Sequence, residues 1–293
     1  MQTSKAGLAA LLLSEITWGV AVLYWAFLHN LPPFAFLGLR VLLSFLAVVS
    51  LLTATGGLNT WWRHLQDLLS NRRTLGIALL SALFLGANWL IYYVAVATNH
   101  ATEAGLAYYI VPLINVLVGV FYFKDAAGRG TGLAFGLATI GVVLMAFDLR
   151  AVPVFALATA ATFAVYGAIK RQLPPASVSS SLATEMLLLS PIALVALIGT
   201  PNWVSTVDTP LLAGLVSVSG LITVVPMLLY TWSLPRVNYV LASFVFYLNP
   251  TLQVGLAVLF LGEHFSLLTG VALGFIWASV GVYLIGSLAM KRV

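Results

Sequence analysis

Three ionisable side chains stand well inside long apolar stretches of this sequence: Glu15, Arg40 and Glu185. A charged group at the centre of a bilayer costs about 3 kcal/mol on insertion scales, so each should face a cavity or a partner. Glu15 and Arg40 enter their stretches from opposite ends and reach similar depths, so they could form an ion pair. Alternatively, Arg40 could receive the carboxylate of a solute through two parallel hydrogen bonds.

Glu185 is the stronger candidate for binding and releasing a proton, because no basic partner is evident inside the apolar stretches of its own half of the chain. Glu15 is the second candidate for this role. Glu103 and His100 lie where another apolar stretch begins. A carboxylate in a first helical turn usually serves as a favourable end charge, so we expect Glu103 to be structural.

Uncharged polar and aromatic side chains form two matching stripes, each with residues at spacings of four and three along one helical face. An aromatic pocket with a few amides suits a neutral or zwitterionic aromatic solute. The alternative is that these rings pack between helices or anchor the chain at the membrane interface. The first stripe is Tyr108, Pro112 and Asn115, and the second is Phe246, Pro250 and Gln253. With them we group Asn88 and Tyr92, which share a helical face, and the aromatic residues Trp18, Trp89, Tyr166 and Tyr230.

The composition indicates which elements hold these side chains. Of the 293 residues, 61% are hydrophobic and only 7% are charged, against about 25% charged residues in an ordinary soluble domain. The chain is therefore predicted to be an all-α integral membrane protein. With about 20 apolar residues needed to cross a bilayer, the predicted spans number ten and cover residues 7–28, 34–54, 75–97, 102–123, 131–147, 153–169, 178–199, 211–233, 239–261 and 267–289.

The distribution of basic residues predicts the orientation of these spans. Of the 13 Lys and Arg residues, Arg40 lies inside a span and Arg150 lies on the side of the membrane opposite the N-terminus. All the others fall on the same side as the N-terminus. Cytoplasmic loops carry the excess of Lys and Arg, so both termini are predicted to be cytoplasmic. The longest connector, residues 55–74, contains TWWRHLQDLLSNRR and is predicted to hold an amphipathic helix at the membrane surface.

The second half of the chain repeats the first at a constant offset. Five spans in each half is an odd number, so the second copy must enter the membrane upside down relative to the first. Two inverted copies around a central site are a known architecture of secondary transporters. The offset pairs Tyr92 with Tyr230, Ala104 with Ala242, Tyr109 with Tyr247, Pro112 with Pro250, Asn115 with Gln253, and Asp125 with Glu263.

Paired prolines and glycines suggest how the two copies pack. A proline inside a helix removes a backbone hydrogen bond and bends the helix, so Pro112 and Pro250 are predicted to bend equivalent helices around a shared cavity. In the next span of each half, Gly132 and Gly136 correspond to Gly270 and Gly274. Such small-residue faces allow close approach of helix backbones in lipid, within one chain or between two chains.

At these residues the sequence resembles the drug/metabolite transporter superfamily, and within it the EamA domain proteins of the RarD type. The resemblance rests on three stretches: NWLIYYVAVATNHATEAGLAYYIVPLINVLVGVFYFKD, FAVYGAIKRQLPP and YLNPTLQVGLAVLFLGE. It implies two EamA-like units, residues 1–148 and 149–293, with ten helices, an inverted five-plus-five repeat and export of metabolites such as amino acids. The sequence departs from the family pattern in one place, with Val111-Pro112 where Asn-Pro is common.

No motif favours an enzyme. There is no Walker motif for ATP, no HExxH and no Gly-x-Ser-x-Gly, and the absence of cysteine excludes a thiolate site. We expect no cofactor, no metal and no nucleic-acid partner. The sequence instead predicts a secondary transporter in a bacterial inner membrane, monomeric or homodimeric, that exports small metabolites, above all aromatic and neutral amino acids. A lipid or glycolipid flippase and a drug exporter without amino-acid substrates remain the alternatives.

Overall fold

The structure is a computed structural model of the chain. It describes residues 4–117, 121, 130–149, 152–170, 172–174, 176–233, 236–237, 242, 244–262 and 264–290, apart from the side chains of residues 102, 115, 116, 284 and 286–290. All regular elements of this part of the chain are helical, with eleven α-helices and one short 3₁₀-helix, Trp203–Thr206. The α-helices are α1 (Lys5–Phe27), α2 (Pro33–Ala54), α3 (Leu58–Ser70), α4 (Arg72–Ala97), α5 (Ala101–Leu117), α6 (Thr131–Asp148), α7 (Val154–Lys170), α8 (Val178–Ile198), α9 (Pro210–Ser233), α10 (Leu248–Phe260) and α11 (Leu267–Met290).

Six of these helices, namely α1, α2, α4, α6, α8 and α9, are long and apolar enough to cross a membrane. The other apolar helices lie in α5, α7, α10 and α11, and their described apolar parts are shorter. Every predicted span therefore contains an apolar helix, and the predicted fold class, an all-helical membrane protein, is confirmed. The last part of the predicted span 102–123 lies mostly outside the described residues.

Helix α10 begins nine residues later than the span predicted from residue 239, because the chain turns at Phe246 and Tyr247 before the helix starts. Pro250 explains this turn, since it has no N–H to donate to the carbonyl of Phe246 four residues earlier. That carbonyl accepts instead from the N–H of Asn249 at 3.2 Å. Helix α5, by contrast, runs without a break through Pro112.

Helix α3 occupies the longest predicted connector and contacts α2, α4 and α8. Leu65 and Leu68 are buried against the helix bundle, and the indole N–H of Trp61 donates to Thr184 Oγ1 on α8 at 3.1 Å. Trp62 and Leu69 are exposed. The structure thus has a helix with a buried and an exposed side where the sequence predicts an amphipathic one, and its place at the membrane surface stays a prediction.

The helices pack in pairs that join the first half of the chain to the second. Helix α2 packs on α8, α5 on α10, and α6 on α11. The contact between α6 and α11 does not use the predicted glycine faces, because nothing lies within 4 Å of a Cβ placed on Gly132, Gly136 or Gly274. It uses Gly141, where a Cβ would lie 2.7 Å from the carbonyl oxygen of Ala272. Of the two possibilities that the sequence left open for these glycines, contact within the chain is not made by Gly132, Gly136 or Gly274 among the described residues.

Candidate functional site

Helices α1, α2, α4, α5, α7, α9 and α10 surround a cavity of about 50 Å³ in the middle of the bundle. At 10–15 Å³ for each water molecule, this volume holds about four waters. Its walls are mostly aromatic and apolar, with one charged side chain among a few amides and hydroxyls. The lining residues are Trp18, Trp25, Arg40, Leu85, Asn88, Trp89, Tyr92, Tyr108, Phe163, Thr223, Met227, Phe246, Asn249 and Gln253.

Arg40 is the charged residue of the lining, and it is only 6% exposed. Its guanidinium carbon lies 4.4 Å from the ring centre of Trp25 and 4.2 Å from that of Trp89. Attraction between the cation and the ring faces stabilises the charge away from water. Nε donates to Thr223 Oγ1 at 2.8 Å, so the plane of the guanidinium is held while its terminal amino groups make no hydrogen bond within the described chain.

Glu15 does not pair with Arg40. In the described ranges the one ion pair joins Lys170 to Glu185, so the possible Glu15–Arg40 pair is not formed. Glu15 is completely buried, and neither of its carboxylate oxygens has a hydrogen-bond partner among the residues described. The side chain of Asn249 is near enough to interact with it. Glu15 thus lies behind the cavity lining, next to one of its members.

Two amides and a tyrosine form a hydrogen-bonded chain along one wall of the cavity. The hydroxyl of Tyr92 donates to Gln253 Oε1 at 2.9 Å, and Gln253 Nε2 donates to Asn249 Oδ1 at 2.6 Å. One turn before Tyr92 on the same face of α4, Asn88 Nδ2 donates to the carbonyl of Thr159 on α7 at 2.8 Å. This bond holds the Asn88 amide, whose oxygen is the group left to accept a hydrogen bond from a solute.

Aromatic rings form the remaining walls. The ring centre of Tyr108 lies 5.5 Å from that of Tyr92, 6.3 Å from Phe163 and 6.1 Å from Phe246. Tyr230 packs against Trp18 at 5.5 Å and against Phe246 at 6.3 Å. Tyr230 is not among the lining residues, so it supports two rings that are.

Glu185 has a basic partner, contrary to the premise of its predicted role. Lys170 Nζ lies 2.6 Å from Glu185 Oε1 and donates also to the hydroxyl of Tyr166 at 2.9 Å. Ser81 on α4 contributes a further contact of 3.4 Å to Glu185. Helix α7 continues to Lys170, which the sequence had placed in a connector, and this brings the amine beside α8. Tyr166 belongs to this cluster and does not line the cavity.

Glu103 and His100 lie away from the cavity lining. Glu103 Oε1 accepts hydrogen bonds from the backbone N–H of Phe155 at 2.7 Å and of Ala156 at 3.4 Å. The carboxylate therefore binds the first turn of α7, where unpaired N–H groups favour a negative charge. His100 Nδ1 contacts Thr98 Oγ1 at 3.1 Å.

The three remaining residues of the predicted site are placed as follows. Pro112 lies inside α5 and Pro250 is the third residue of α10, and neither lines the cavity. The side chain of Asn115 lies outside the described residues. The cavity brings together eight of the predicted side chains: Trp18, Arg40, Asn88, Trp89, Tyr92, Tyr108, Phe246 and Gln253.

Sequence reasoning missed six lining residues. Trp25 stands seven residues after Trp18, a spacing that places both on one helical face, and Leu85 precedes Asn88 by one turn. These two could have been found from the helical period. Asn249 precedes the predicted Gln253 by four residues, so the helical period indicates it too. Phe163, Thr223 and Met227 join the cavity through the packing of α7 and α9.

Apolar helices around an internal cavity define a multi-pass membrane protein, and comparison with known sequences places it more closely. The model of the EamA-like transporter family matches the chain twice, over residues 5–147 and 151–286. The chain therefore belongs to the EamA-like transporter family. Together with bacterial relatives, the spanning helices identify it as a multi-pass inner-membrane transporter of small molecules.

Relatives of similar length support this assignment. Protein RarD of Salmonella typhimurium is 30% identical over 292 residues, covering 99% of this chain and 98% of that protein. An uncharacterized transporter of Pseudomonas aeruginosa is 33% identical over 278 residues, covering 93% of this chain and 91% of the relative. A chloramphenicol-sensitive protein RarD of the same species is 29% identical over 188 residues, covering 64% of this chain and 62% of that protein.

The fold also matches a solved crystal structure. That structure aligns with a TM-score of 0.69 at 19% sequence identity, and the alignment covers 98% of this chain and 99% of the chain in the solved structure. At this identity the likeness concerns the fold alone.

Proposed function

We propose that this protein is a secondary transporter that exports aromatic and neutral amino acids from the cytoplasm by alternating access. The observation that carries the proposal is the guanidinium of Arg40, which lies between Trp25 and Trp89 in a cavity of aromatic walls. Among the residues that the structure describes, its terminal amino groups have no hydrogen-bond partner. A fixed guanidinium is suited to binding a carboxylate through two parallel hydrogen bonds. Aromatic walls are suited to an apolar or aromatic side chain.

A zwitterion fits this cavity better than a simple cation. The charged side chain of the lining is Arg40, so a solute that carries only a positive group has nothing to pair with it. The amide oxygen of Asn88 can accept a hydrogen bond from an ammonium group, while the carboxylate is held at Arg40. The same arrangement favours an amino acid over a lipid headgroup, because one guanidinium among aromatic walls is a site for a single carboxylate and not a cationic groove.

Transport requires the helices to part, because the cavity in this state has room for only a few water molecules. We attribute this movement to two five-helix units, residues 1–148 and 149–293, that lie upside down to one another with the termini in the cytoplasm. The double match of the family model and the pairing of α2 with α8, α5 with α10 and α6 with α11 support the division. Rocking of such units around a central site is a known mode of alternating access.

Flux into and out of proteoliposomes tests the proposal. Labelled phenylalanine, tyrosine, leucine and lysine are compared with phenethylamine, which has the ring but no carboxylate. We expect phenylalanine and leucine to move and phenethylamine neither to move nor to compete. Chloramphenicol is included because one relative is named for sensitivity to it, and a fluorescent phospholipid tests flipping. Movement of the drug or the lipid without any amino acid would overturn the proposal in favour of the corresponding alternative.

A further inference from the structure

Glu15 is a buried carboxyl group that the proposed carboxylate site does not use. It is 0% exposed, and both of its oxygens lack a hydrogen-bond partner within the described part of the chain. A buried carboxylate in this condition costs several kcal/mol unless it binds a proton or a cation. Glu15 lies on α1 near Asn249 of α10. Its buried carboxyl group therefore needs a bound proton or cation.

A polar chain connects this carboxyl group to the cavity. Tyr92 donates to Gln253, and Gln253 donates to Asn249. Because Asn249 Oδ1 accepts from Gln253, its amide nitrogen is the end available to Glu15. Tyr92, Gln253 and Asn249 all line the cavity. The state of Glu15 can thus reach a bound solute through three side chains.

Few other ionisable groups surround Glu15. Helix α10 carries none in Leu248–Phe260, and α9 carries Tyr230 alone. On α5 the hydroxyl of Tyr108 interacts electrostatically with both Glu15 and Arg40. Helix α4 carries Tyr92, which donates to Gln253, and Tyr93, which donates to the carbonyl of Leu28 at the end of α1. The arginines of α4, Arg72 and Arg73, stand in its first turn.

We propose that Glu15 binds and releases the proton that drives transport, and that Asn249, Gln253 and Tyr92 convey its protonation state to the cavity. This inference rests on the proposed function, whose coupling ion it names as the proton. It also transfers the role that the sequence assigned first to Glu185, whose charge is satisfied by Lys170, to Glu15.

The chain of amides explains how the coupling operates. In the ionised state we expect Glu15 to accept a hydrogen bond from the nearby Asn249 amide nitrogen. When a proton from water binds to the carboxylate oxygen that faces Asn249, the new O–H needs an acceptor, so the Asn249 amide turns over and presents its oxygen. Asn249 then donates to Gln253, Gln253 turns over in the same way and donates to the Tyr92 oxygen, and the Tyr92 proton points elsewhere in the cavity.

Charge balance gives the direction of coupling. When Glu15 is ionised its charge offsets that of Arg40, and a zwitterion of zero net charge completes a neutral site. When Glu15 is protonated, the positive charge of Arg40 is unbalanced and the zwitterion is held less well. Proton and zwitterion therefore compete, and binding of either weakens the other by the same factor. Such competition produces exchange of an entering proton for a departing solute.

Infrared difference spectroscopy of the purified protein on acidification tests proton binding without any solute. We expect a carbonyl band of a protonated carboxyl group in the wild type and in Glu103→Gln, a matched change at another buried glutamate, and loss of that band in Glu15→Gln. Glu15→Asp, which keeps a carboxyl group, should retain a band at another frequency. Gln253→Leu should shift the band, because it breaks the chain at its middle. Persistence of an unaltered band in Glu15→Gln, or its absence from the wild type, overturns the proposal.

Flux of labelled phenylalanine then tests coupling. In proteoliposomes, Glu15→Gln should abolish accumulation driven by a pH gradient while keeping exchange of phenylalanine across the membrane. Equal gradient-driven accumulation in wild type and Glu15→Gln overturns the assignment. If the wild type does not move phenylalanine at all, the proposed substrate class fails, and the infrared result alone decides whether Glu15 binds a proton.

Discussion

The ammonium group of Lys170 lies 2.6 Å from the carboxylate of Glu185, at the end of α7 where it meets α8. The Lys170 side chain is 27% exposed and that of Glu185 only 4%, so the pair is shielded from water mainly on its acidic side. Through Tyr166 and Ser81 the pair also contacts α7 and α4. The pair therefore connects α4, α7 and α8.

Breaking this pair should lower stability. Lys170→Met leaves the Glu185 carboxylate buried and unpaired, at a cost of about 1–3 kcal/mol, so the melting temperature in detergent should fall. Adding Glu185→Leu to Lys170→Met should restore part of the loss, because the unpaired charge is then gone. Arg72→Met, at an exposed position on α4, is the control and should melt like the wild type. A double variant no more stable than Lys170→Met would contradict the expectation.

Arg40 should not be replaceable by lysine. Lysine keeps the charge but lacks the planar fork that binds a carboxylate twice and stacks on Trp25 and Trp89. Loss of one charged hydrogen bond, about 1.5–3 kcal/mol, corresponds to a fall of about 10- to 100-fold in phenylalanine transport at low concentration. The matched control is Arg236→Lys, because Arg236 stacks on Trp232 at 3.9 Å outside the cavity. Equal transport by the two variants would argue against carboxylate binding at Arg40.

Two glycines of α6 should respond differently to a large side chain. Gly141→Leu places its Cβ 2.7 Å from the carbonyl oxygen of Ala272, so α6 and α11 must separate, and the yield of folded protein should fall sharply. Gly136→Leu meets nothing within 4 Å and should be tolerated. Size-exclusion chromatography of both variants in detergent checks this. Loss of folded protein in Gly136→Leu would mean that this face contacts a second copy of the chain.

Single cysteines can test the inverted arrangement, because the native sequence contains none. Gln66 on α3 and Ser205 after α8 are exposed and lie in equivalent connectors of the two halves. In intact cells, an impermeant maleimide should label Ser205→Cys directly and Gln66→Cys only after permeabilisation. Labelling of both cysteines from the same side of the membrane would contradict the inverted arrangement of the two units.

Much of the fold was available from the sequence, because lipid imposes strong constraints on each segment separately. A span must be about 20 residues long and apolar, so predicted spans such as 34–54 and 131–147 nearly coincide with α2 and α6. The repeat likewise identified Tyr109 and Tyr247 as equivalent, and the two rings stack at 6.0 Å. Of the eight lining residues that the sequence predicted, helical spacing places five on shared faces, namely Asn88, Tyr92, Tyr108, Phe246 and Gln253. Arg40 was predicted from its charge, and Trp18 and Trp89 from their aromatic rings.

Other features depended on contacts between helices far apart in the chain. The sequence determined that Glu15, Arg40 and Glu185 lie within apolar segments, but not which group each would meet. Only the tertiary structure decided that Lys170 neutralises Glu185, that two indoles enclose Arg40, and that Glu15 faces Asn249. The physical reason is that helical periodicity specifies the face on which a residue lies, whereas the depth, rotation and partner of that face are set by packing against other helices.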